Sequence, residues 1–443
     1  MNRPCKTFFI LLCAILLPIM LDAHKYHRAA IDATPSVIPD RIIRTFNGDP
    51  ATTLTLTWRT STEVLASEGE FALADASPNF VFRRIKVPAK TEAFQHKRNK
   101  AHFHSVTFRG LKPNTLYAYR VGSGKVWSEW FQARTAHAQP APFTFIYFGD
   151  SQNNLLALWS RVIRTSYADA PHADFIIHAG DLIQDPNLDS DWAEWSEAGG
   201  FIHAQIPAIP TPGNHEYNDG NRLSQHWRPH FTLPENGPKG LEETVYYVDY
   251  QGARIISLNS NDVAKPKDQV PWLENVLQNN PHRWTFVTFH HPIFATREDH
   301  DYKSLRKAWK PLFDKYAVDL VLQGHDHSYG RGDNIARGLN VREHDVGTIY
   351  VVSVSGPKMY ELTDDRWMTR AAVNTQLYQI ITVEDDTLHY RAIMATGELY
   401  DAFDLIKQDG KPNRLIERIP EGTPERTEDN TLSKPRRKDM KLY

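Results

Sequence analysis

The sequence predicts an all-β sandwich followed by a larger α/β unit in which helices alternate with buried strands. Residues 37–137 alternate apolar with polar side chains and are interrupted by turns rich in Pro, Gly and Asn. Residues 142–400 instead show short apolar runs separated by helix-period segments. A period of two indicates half-buried strands, and helices between apolar strands indicate crossover connections and layered α/β packing.

The composition is that of a soluble globular protein of two or three domains. The chain has 443 residues, of which 41% are hydrophobic and 23% are charged. The formal net charge is −2. This near-neutral balance argues against a broad basic face, so nucleic acid is not expected as a partner.

The first segment, residues 1–23, has the pattern of a secretory signal peptide. Arg3 and Lys6 precede an apolar stretch that ends near the small residue Ala23. The run is short for a membrane span and contains Pro18. We therefore expect cleavage near Ala23 and no stable membrane span afterwards; an uncleaved anchor is the alternative.

Both cysteines lie inside this signal segment. Cys5 and Cys13 are the only ones in the chain, so the mature protein would contain no disulfide and no thiolate. An exported protein without disulfides is typical of a bacterial periplasm or cell surface, and we expect a secreted or periplasmic location. A lipid attached at Cys13 is a second possibility.

Residues 24–36 are interpreted as a linker, and the predicted sandwich occupies residues 37–137. Leu54, Leu56 and Trp58 fall on one face of a strand that has threonines on the other face. The stretch "LKPNTLY", residues 111–117, resembles the corner of fibronectin type III-like domains, so the unit is interpreted as fibronectin type III-like.

A Pro/Ala connector leads into the second unit, residues 142–400. "FTFIYFGD" and "ADFIIHAGD" are expected to be buried strands, and the segment "SLRKAWKPLFDKYAV" is expected to be an amphipathic helix. Residues 401–443 are highly charged, with "KPRRKDMK" near the end, and are expected to form a weakly ordered tail.

Polar side chains follow the predicted strands of this second unit. They are Asp150, Asp181, Asn214 with His215, His290, and the pair His325 and His327. Taken alone, a "GD" is usually a turn and a His-x-His is usually structural. However, polar residues at several strand ends meet at one rim of an α/β sheet. Carboxylate, amide and imidazole donors together suit zinc, manganese or iron, so the series predicts a metal site.

The ordered series identifies the chain as similar to a known superfamily. "GD", "GD", "GNHE", "VTFH" and "GHDHSYGR" stand at 149–150, 180–181, 213–216, 287–290 and 324–331. This order resembles the calcineurin-like metallophosphoesterases, in their purple acid phosphatase branch. The resemblance implies an α/β (α+β) fold, a β-sandwich flanked by helices, and two divalent metal ions (Mn, Zn or Fe).

The resemblance also implies roles for individual residues. Asp181 would bridge the two metals. Asp150 and His327 would bind the first ion, and Asn214, His290 and His325 would bind the second. His215 and His300 would protonate the leaving group, with His215 favoured.

The chain departs from the family at two positions near the first metal. Gln184 stands where the purple branch has a tyrosine, and Gln152 stands where the wider superfamily has a histidine. Gln152 would bind through its neutral amide oxygen. Because Gln184 cannot ionise, we expect a colourless enzyme that works with divalent ions.

The expected function is therefore that of an exported phosphatase acting on small phosphorylated substrates. The resemblance implies hydrolysis of phosphomonoesters through a metal-bound hydroxide. A phosphodiesterase is the alternative within the same chemistry, and a non-catalytic binding protein with a degenerate phosphatase domain is the alternative outside it. The sequence leaves the oligomeric state open.

Overall fold

The protein is described here as a computed structural model, which covers residues 31–218, 220–333, 345–363 and 367–427. The predicted signal segment and the last part of the predicted tail lie outside these residues. No helix within the covered ranges is both long and apolar enough to cross a membrane. The N-terminal unit consists of nine strands: β1 (Asp40–Thr45), β2 (Leu54–Thr60), β3 (Glu68–Leu73), β4 (Ile85–Pro88), β5 (Lys90–His96), β6 (Asn99–Phe108), β7 (Leu116–Ser123), β8 (Val126–Trp127) and β9 (Phe131–Arg134).

These nine strands form the predicted sandwich. One layer has the order β4-β3-β7-β8, with β9 paired to β7, and the facing layer contains β1, β2, β6 and β5. Leu56 and Trp58 of β2 are fully buried between the layers against Phe108 and Tyr119. The alternation of the sequence thus places the apolar face inward, because successive strand side chains point to opposite faces.

The fibronectin-like corner is present at Tyr117. Its hydroxyl oxygen accepts a hydrogen bond of 2.9 Å from the backbone N–H of Lys112. A tyrosine that bonds back to the chain a few residues upstream closes the end of such sandwiches.

The second unit contains the remaining strands and all six α-helices. The strands are β10 (Phe143–Phe148), β11 (Phe175–His178), β12 (Ala208–Pro210), β13 (Tyr246–Tyr250), β14 (Ala253–Ser257), β15 (Trp284–Thr288), β16 (Leu320–Gln323), β17 (Tyr329–Asp333), β18 (Asp345–Val346), β19 (Ile349–Val352), β20 (Arg370–Ala372), β21 (Leu377–Glu384), β22 (Thr387–Met394), β23 (Leu399–Ile406) and β24 (Asn413–Glu417). The helices are α1 (Ser160–Asp169), α2 (Asp189–Gly199), α3 (Phe201–Gln205), α4 (Trp227–His230), α5 (Val270–Gln278) and α6 (Lys303–Lys315).

Two sheets pack face to face in this unit and helices cover their outer sides. One sheet contains β10, β11 and β12 as parallel neighbours, and the other has the order β13-β14-β15-β16-β19-β17-β20. Phe145 of the first sheet contacts Phe286 of the second across a shared core. On the outer side, Leu305, Trp309 and Phe313 of α6 pack on the second sheet. The predicted sandwich flanked by helices is confirmed.

The two units share one continuous sheet. β1 pairs in parallel with β12 at Thr45 and Ala208, which joins the N-terminal layer to the first sheet of the second unit in a twelve-stranded sheet. Buried charges reinforce the junction: Arg41 and Arg59 both bind the carboxylate of Asp189 on α2, at 2.8 and 3.2 Å. The N-terminal sandwich is therefore built into the frame of the second unit.

The prediction of a charged tail from residue 401 is wrong for its first part. β23 and β24 extend the twelve-stranded sheet as far as Glu417. Phe403 and Leu405 are buried in the main core, on either side of the half-buried Asp404 in β23. A period of two within a charged region therefore forms a strand that is paired on both sides, between β22 and β24, rather than a solvated tail.

Candidate metal centre

The polar residues that follow the strands converge at one edge of the two packed sheets. Asp150 follows β10, Asp181 follows β11 and Asn214 follows β12 in the first sheet. His290 follows β15, and His325 with His327 follows β16 in the second sheet. Since the strands within each set are parallel, their carboxyl ends deliver all six side chains to one place.

The backbone at this edge is turned sharply to bring the side chains together. Asp181, His325 and His327 have left-handed φ angles of 50°, 76° and 48°. Such conformations cost non-glycine residues free energy and collect at functional sites. Gly324 has a packing reason as well, because a Cβ there would lie 2.3 Å from Asp150 Oδ1.

The first group of donor atoms is formed by Asp150, Gln152 and His327. Asp150 Oδ2 lies 3.0 Å from His327 Nε2, and the Gln152 amide nitrogen lies 2.9 Å from that same Nε2. His327 Nδ1 donates to the backbone oxygen of Lys358 at 2.8 Å. This outer hydrogen bond fixes the tautomer and turns the Nε2 lone pair toward the carboxylate.

The second group is formed by Asn214, His290 and His325. Asn214 Oδ1 lies 3.0 Å from His290 Nε2 and 3.1 Å from His325 Nδ1, and those two nitrogens are 3.1 Å apart. His290 Nδ1 donates to the Ala179 backbone oxygen at 2.9 Å, so its Nε2 faces inward. His325 uses the opposite nitrogen, because its Nε2 is 2.6 Å from the Tyr302 hydroxyl.

Asp181 lies between the two groups. Its Oδ2 is 3.1 Å from His290 Nε2 in the second group and accepts at 3.3 Å from the Gln152 amide in the first. Its Oδ1 accepts from the backbone N–H of His215 at 2.8 Å. Only 1% of Asp181 is exposed, so this carboxylate has no solvent to neutralise it.

The donor atoms fit a pair of cations. Within each donor group, atoms that carry lone pairs lie about 3 Å apart, and they repel unless positive charge lies among them. This holds for Asp150 and His327 in the first group and for Asn214, His290 and His325 in the second. Asp150 Oδ2 is buried and receives no hydrogen bond from the described residues. Clusters of His and Asp whose ligand atoms lie within 4.8 Å of one another include Asp150, Asp181 and His290. Mixed oxygen and imidazole donors are those that zinc, manganese and iron accept.

The electrostatics show the same demand for positive charge. Burial alone would lower the pKa of His290, but the carboxylates of Asp181 and Asp150 raise it to about 10. Burial would likewise raise the pKa of Asp181, but His290 and His215 hold it well below its usual value. The two carboxylates thus stabilise a proton on His290, and they would stabilise the positive charge of a metal ion in the same way.

Gln152 and Gln184 take different positions around the first group. Gln152 is fully buried and presents its amide nitrogen to His327, while its oxygen has no hydrogen-bond partner in the described part of the chain. The expected oxygen ligand would therefore require rotation of this amide. Gln184 turns away, since its side-chain oxygen accepts from Asn153 at 2.8 Å.

The two predicted acid histidines flank the donor groups on the solvent side. His215 donates from Nδ1 to the Gln184 backbone oxygen at 2.6 Å, and its Nε2 is 4.0 Å from Asp181 Oδ2. His300 donates from Nδ1 to Asp326 at 2.7 Å and its ring packs on His325 at 4.6 Å between centroids. Each ring keeps about a fifth of its surface exposed, 20% and 21%. Both rings are thus partly accessible beside the donor groups.

Several supporting residues lie here that the sequence did not reveal. Glu216 is fully buried, and its carboxylate accepts from the backbone N–H groups of Asp181, Leu182 and Gly213 at 2.7 to 2.9 Å. It thereby clamps the turn that carries the central aspartate. Burial and the charge of Asp181 raise the pKa of Glu216 to about 8. Its place within "GNHE" was the available signal.

Asp326, Tyr302 and Tyr360 are the other residues that sequence reasoning missed. Asp326 receives hydrogen bonds from Thr296 and His300, Tyr302 touches His325, and Tyr360 packs on His327. Asp326 stands inside "GHDH", which was a usable signal, whereas nothing in "GPKMY" marks Tyr360.

Two further buried histidines pack around Trp195, outside the donor groups. His203 stacks on Trp195 at 4.0 Å between centroids, and His178 packs against the same tryptophan at 5.5 Å. Arg331, in the stretch after His327, binds Asp401 on β23 with two hydrogen bonds of 2.7 and 3.0 Å. These residues stabilise the frame rather than the donor groups.

Comparison with known proteins places both units in described families. Residues 39–135 match the purple acid phosphatase N-terminal domain, and residues 143–329 match the calcineurin-like phosphoesterase domain. Human acid phosphatase type 7 is 29% identical over 335 residues, which is 67% of this chain and 71% of the human protein. The Fe(3+)-Zn(2+) purple acid phosphatase 12 of Arabidopsis thaliana is 26% identical over 53% of each chain. The chain thus spans about half the length of that plant relative.

A solved structure supports the fold independently. The purple acid phosphatase PPD1 from yellow lupin (Lupinus luteus) seeds superimposes with a TM-score of 0.69. The match covers 83% of this chain and 74% of the lupin protein, at 17% sequence identity. At this identity the likeness concerns the arrangement of strands and helices.

Proposed function

The chain is a purple acid phosphatase-like member of the calcineurin-like metallophosphoesterase superfamily, and on that premise we propose that it is an exported dinuclear phosphatase acting on phosphomonoesters. The observation that carries the proposal is the position of Asp181, whose Oδ2 contacts both donor groups. A single buried carboxylate shared by two clusters of ligands is the arrangement that a pair of cations requires. A binding protein that had lost its catalysis would have no need to keep it.

We assign the two ions to the two donor groups. Asp150, His327 and, after amide rotation, Gln152 would hold the first; Asn214, His290 and His325 would hold the second. When bound, two divalent ions would neutralise the phosphate oxygens and activate water for attack. The carboxylate of Asp181 offsets the repulsion between them.

The remaining steps belong to side chains of this protein. His215 Nδ1 is committed to the Gln184 backbone oxygen, which leaves Nε2 to hold a proton toward the substrate. When the ester bond breaks, the leaving oxygen takes that proton and His215 becomes neutral. His300, oriented by Asp326, offers a second Nε2 on the neighbouring side. General acid catalysis of this kind contributes about 10²–10⁴ in rate.

The metal identity follows from the residues around the first group. In the purple branch a tyrosine stands at the position of Gln184, and here that amide is directed to Asn153. Neither Gln184 nor Gln152 supplies negative charge that would favour a trivalent ion. We therefore propose manganese, zinc or ferrous iron and a protein without a strong visible absorption band.

Monoester preference and export are further parts of the proposal. The names of the human and plant relatives, which are acid phosphatases, support a monoester substrate. Export is supported by the pattern of residues 1–23. Both are open to direct measurement.

The test is an assay on metal-loaded protein with one monoester and one diester. Turnover of 4-nitrophenyl phosphate, well above that of bis(4-nitrophenyl) phosphate and lost on chelation, is the expected result. Faster turnover of the diester would assign the protein to phosphodiesterases, and no turnover of either with both metals bound would support a binding role. Fractionation of cells that express the full chain, with N-terminal sequencing of the product, tests cleavage near Ala23.

A further inference from the structure

One aromatic side chain extends the metal centre toward solvent. Tyr360 packs on the ring of His327 at 4.6 Å between centroids and lies 6.0 Å from the ring of His300. Its backbone N–H donates to the His327 backbone oxygen at 3.0 Å. The Tyr360 ring therefore borders the donor groups on the side of His327 and His300.

Two cationic side chains flank this ring. The guanidinium carbon of Arg297 is 5.0 Å from the Tyr360 centroid, and the ammonium of Lys358 is 5.4 Å from it. Cations within about 6 Å of an aromatic ring are attracted by its quadrupole. The ring thus holds both positive charges next to the metal centre.

The backbone keeps the two cations in fixed relation to the metal ligands. The Lys358 backbone oxygen accepts from His327 Nδ1, so this residue is tied to a proposed ligand. The loop that carries Arg297 is bound to the same segment, since Thr363 N–H donates to the Thr296 oxygen at 3.0 Å. Glu298 N–H returns a bond of 2.8 Å to Thr363 Oγ1. Neither cation is therefore on an independent flexible tip.

The two cations differ in how far they are already neutralised. Arg297 makes a paired contact with Asp299, at 2.7 and 3.0 Å. Among the described residues, no carboxylate lies within ion-pair distance of Lys358, whose recorded side-chain contact is with the Tyr360 ring. A positive charge next to a phosphate site, with no counter-ion within the described ranges, can meet an anion on the substrate.

We propose that Tyr360, Arg297 and Lys358 form a second anion subsite beside the metal centre, with Lys358 as its principal charge. The preferred substrates are then phosphomonoesters that carry a further carboxylate or phosphate group. The inference rests on the proposed phosphatase function and specifies its substrate class. The scissile phosphate would lie at the donor groups, the body of the substrate would cross the Tyr360 ring, and the second anion would meet Lys358.

The test compares two esters of the same primary alcohol position. Glucose 6-phosphate has a neutral ring, whereas 6-phosphogluconate carries a carboxylate at the far end. We expect wild-type kcat/KM to favour 6-phosphogluconate and Lys358→Met to reduce that preference about three- to tenfold. Lys358→Arg should restore most of it. Lys315→Met is the matched control: that lysine pairs with Glu274 away from the centre and should leave the preference unchanged.

The outcomes separate this inference from the function on which it rests. One outcome is that wild-type protein hydrolyses glucose 6-phosphate and that Lys358→Met, with unchanged melting temperature and metal content, prefers 6-phosphogluconate as strongly as wild type does. The subsite is then refuted, and the phosphatase function stands. If wild-type protein with both metals bound hydrolyses neither ester nor 4-nitrophenyl phosphate, the phosphatase is refuted and the subsite with it. A preference for 6-phosphogluconate that falls in Lys358→Met and recovers in Lys358→Arg supports the subsite. Added salt should also weaken this preference in the wild-type protein, because salt screens the charges.

Discussion

At the scale of single residues, the donor groups owe their geometry to hydrogen bonds on the side that faces away from the site. His290 and His327 each donate Nδ1–H to a backbone oxygen, of Ala179 and Lys358, and so present Nε2. His325 is the exception, because Tyr302 contacts its Nε2 and leaves Nδ1 for the site. Such outer partners set ring orientation and ligand basicity in metal sites.

The contact from Tyr302 leads to a prediction about metal affinity. Tyr302→Phe removes the hydroxyl that holds His325, so we expect affinity for the second ion to fall about 10–100-fold. Chelator competition measures it. Tyr316→Phe is the matched control, since that hydroxyl binds Glu274 on the helical surface and should not affect the metals. Equal affinity in Tyr302→Phe and wild type would show that the hydroxyl does not position His325.

The free Nε2 of His215 leads to a second prediction. His215→Ala should retain both metals and lower kcat by about 10²–10⁴, because the leaving oxygen loses its proton donor. The loss should shrink for esters with acidic leaving groups, and a series of substituted phenyl phosphates measures this. His389→Ala, which alters a half-exposed histidine paired with Asp404, is the control. A loss of the same size for every leaving group would assign His215 to phosphate positioning instead.

The donor residues could be predicted from the sequence because each directly follows an apolar strand. Their supports could not. Tyr302 and Asp326 meet the histidines only through the packing of the loop around His300, and the loop has no periodicity from which its path could be inferred. Gln152 was identified, but which end of its amide faces the site depends on the hydrogen bonds of its neighbours.

At the scale of secondary structure, the junction between the two units depends on one buried carboxylate. Asp189 on α2 accepts from Arg41 of β1 and Arg59 of β2, and all three side chains are at most 8% exposed. Burial would raise the pKa of Asp189, but the two guanidinium groups hold it below its usual value. Arg59 also pairs with Asp40 at 2.6 Å, so Arg41 is the cation that relies on Asp189 for its ion pair.

Removal of the Asp189 charge should therefore destabilise the whole chain. Asp189→Asn leaves the guanidinium of Arg41 buried without its carboxylate partner, whereas Arg59 keeps its pair with Asp40. Breaking a buried pair costs about 3–5 kcal/mol. Urea unfolding measures the change. Asp75→Asn, at an exposed pair with Arg83, is the control and should leave stability nearly unchanged. If both variants unfold alike, α2 is not held to β1 and β2 by these charges.

Secondary structure was predictable where the apolar period was strong. The positions of Leu305, Trp309 and Phe313 in the sequence predicted the buried face of α6. β23 and β24 were missed because charged residues obscure the alternation that buries Phe403 and Leu405. A highly charged segment can still form a buried strand if its apolar residues recur at every second position.

At the scale of the whole molecule, the fold buries many histidines in their neutral form. Burial lowers the pKa of His104 and His203 to about 4 and that of His226 to about 3. Since a histidine in an unfolded chain has its ordinary pKa of about 6.5, the unfolded chain binds more protons below that pH. The stabilisation is full above about pH 6.5 and is lost as the pH falls toward 4.

This linkage predicts that the protein becomes less stable in mild acid. The melting temperature of metal-free wild type should fall between pH 7 and pH 5. His203→Phe keeps the stacking on Trp195 but has nothing to titrate, so its melting temperature should fall less over the same interval. A parallel fall in both proteins would mean that His203 does not contribute to acid sensitivity. Metal-free samples exclude an effect of metal release.

The overall architecture was only partly available from the sequence. The sandwich and the layered unit could be predicted because each has its own apolar period. The joining of the two units in a twelve-stranded sheet could not be predicted. It depends on the parallel pairing of Thr45 with Ala208, which lie far apart in the chain. Long-range pairing of this kind leaves no local pattern.

Elemental analysis of reconstituted wild type and Asp181→Asn, alongside turnover, shows whether Asp181 is shared by two metal ions. We expect two metal ions per chain in wild type, and in the variant one ion or none with activity abolished, because the shared carboxylate has lost its charge. Two tightly held ions and near-normal turnover in Asp181→Asn would contradict the account.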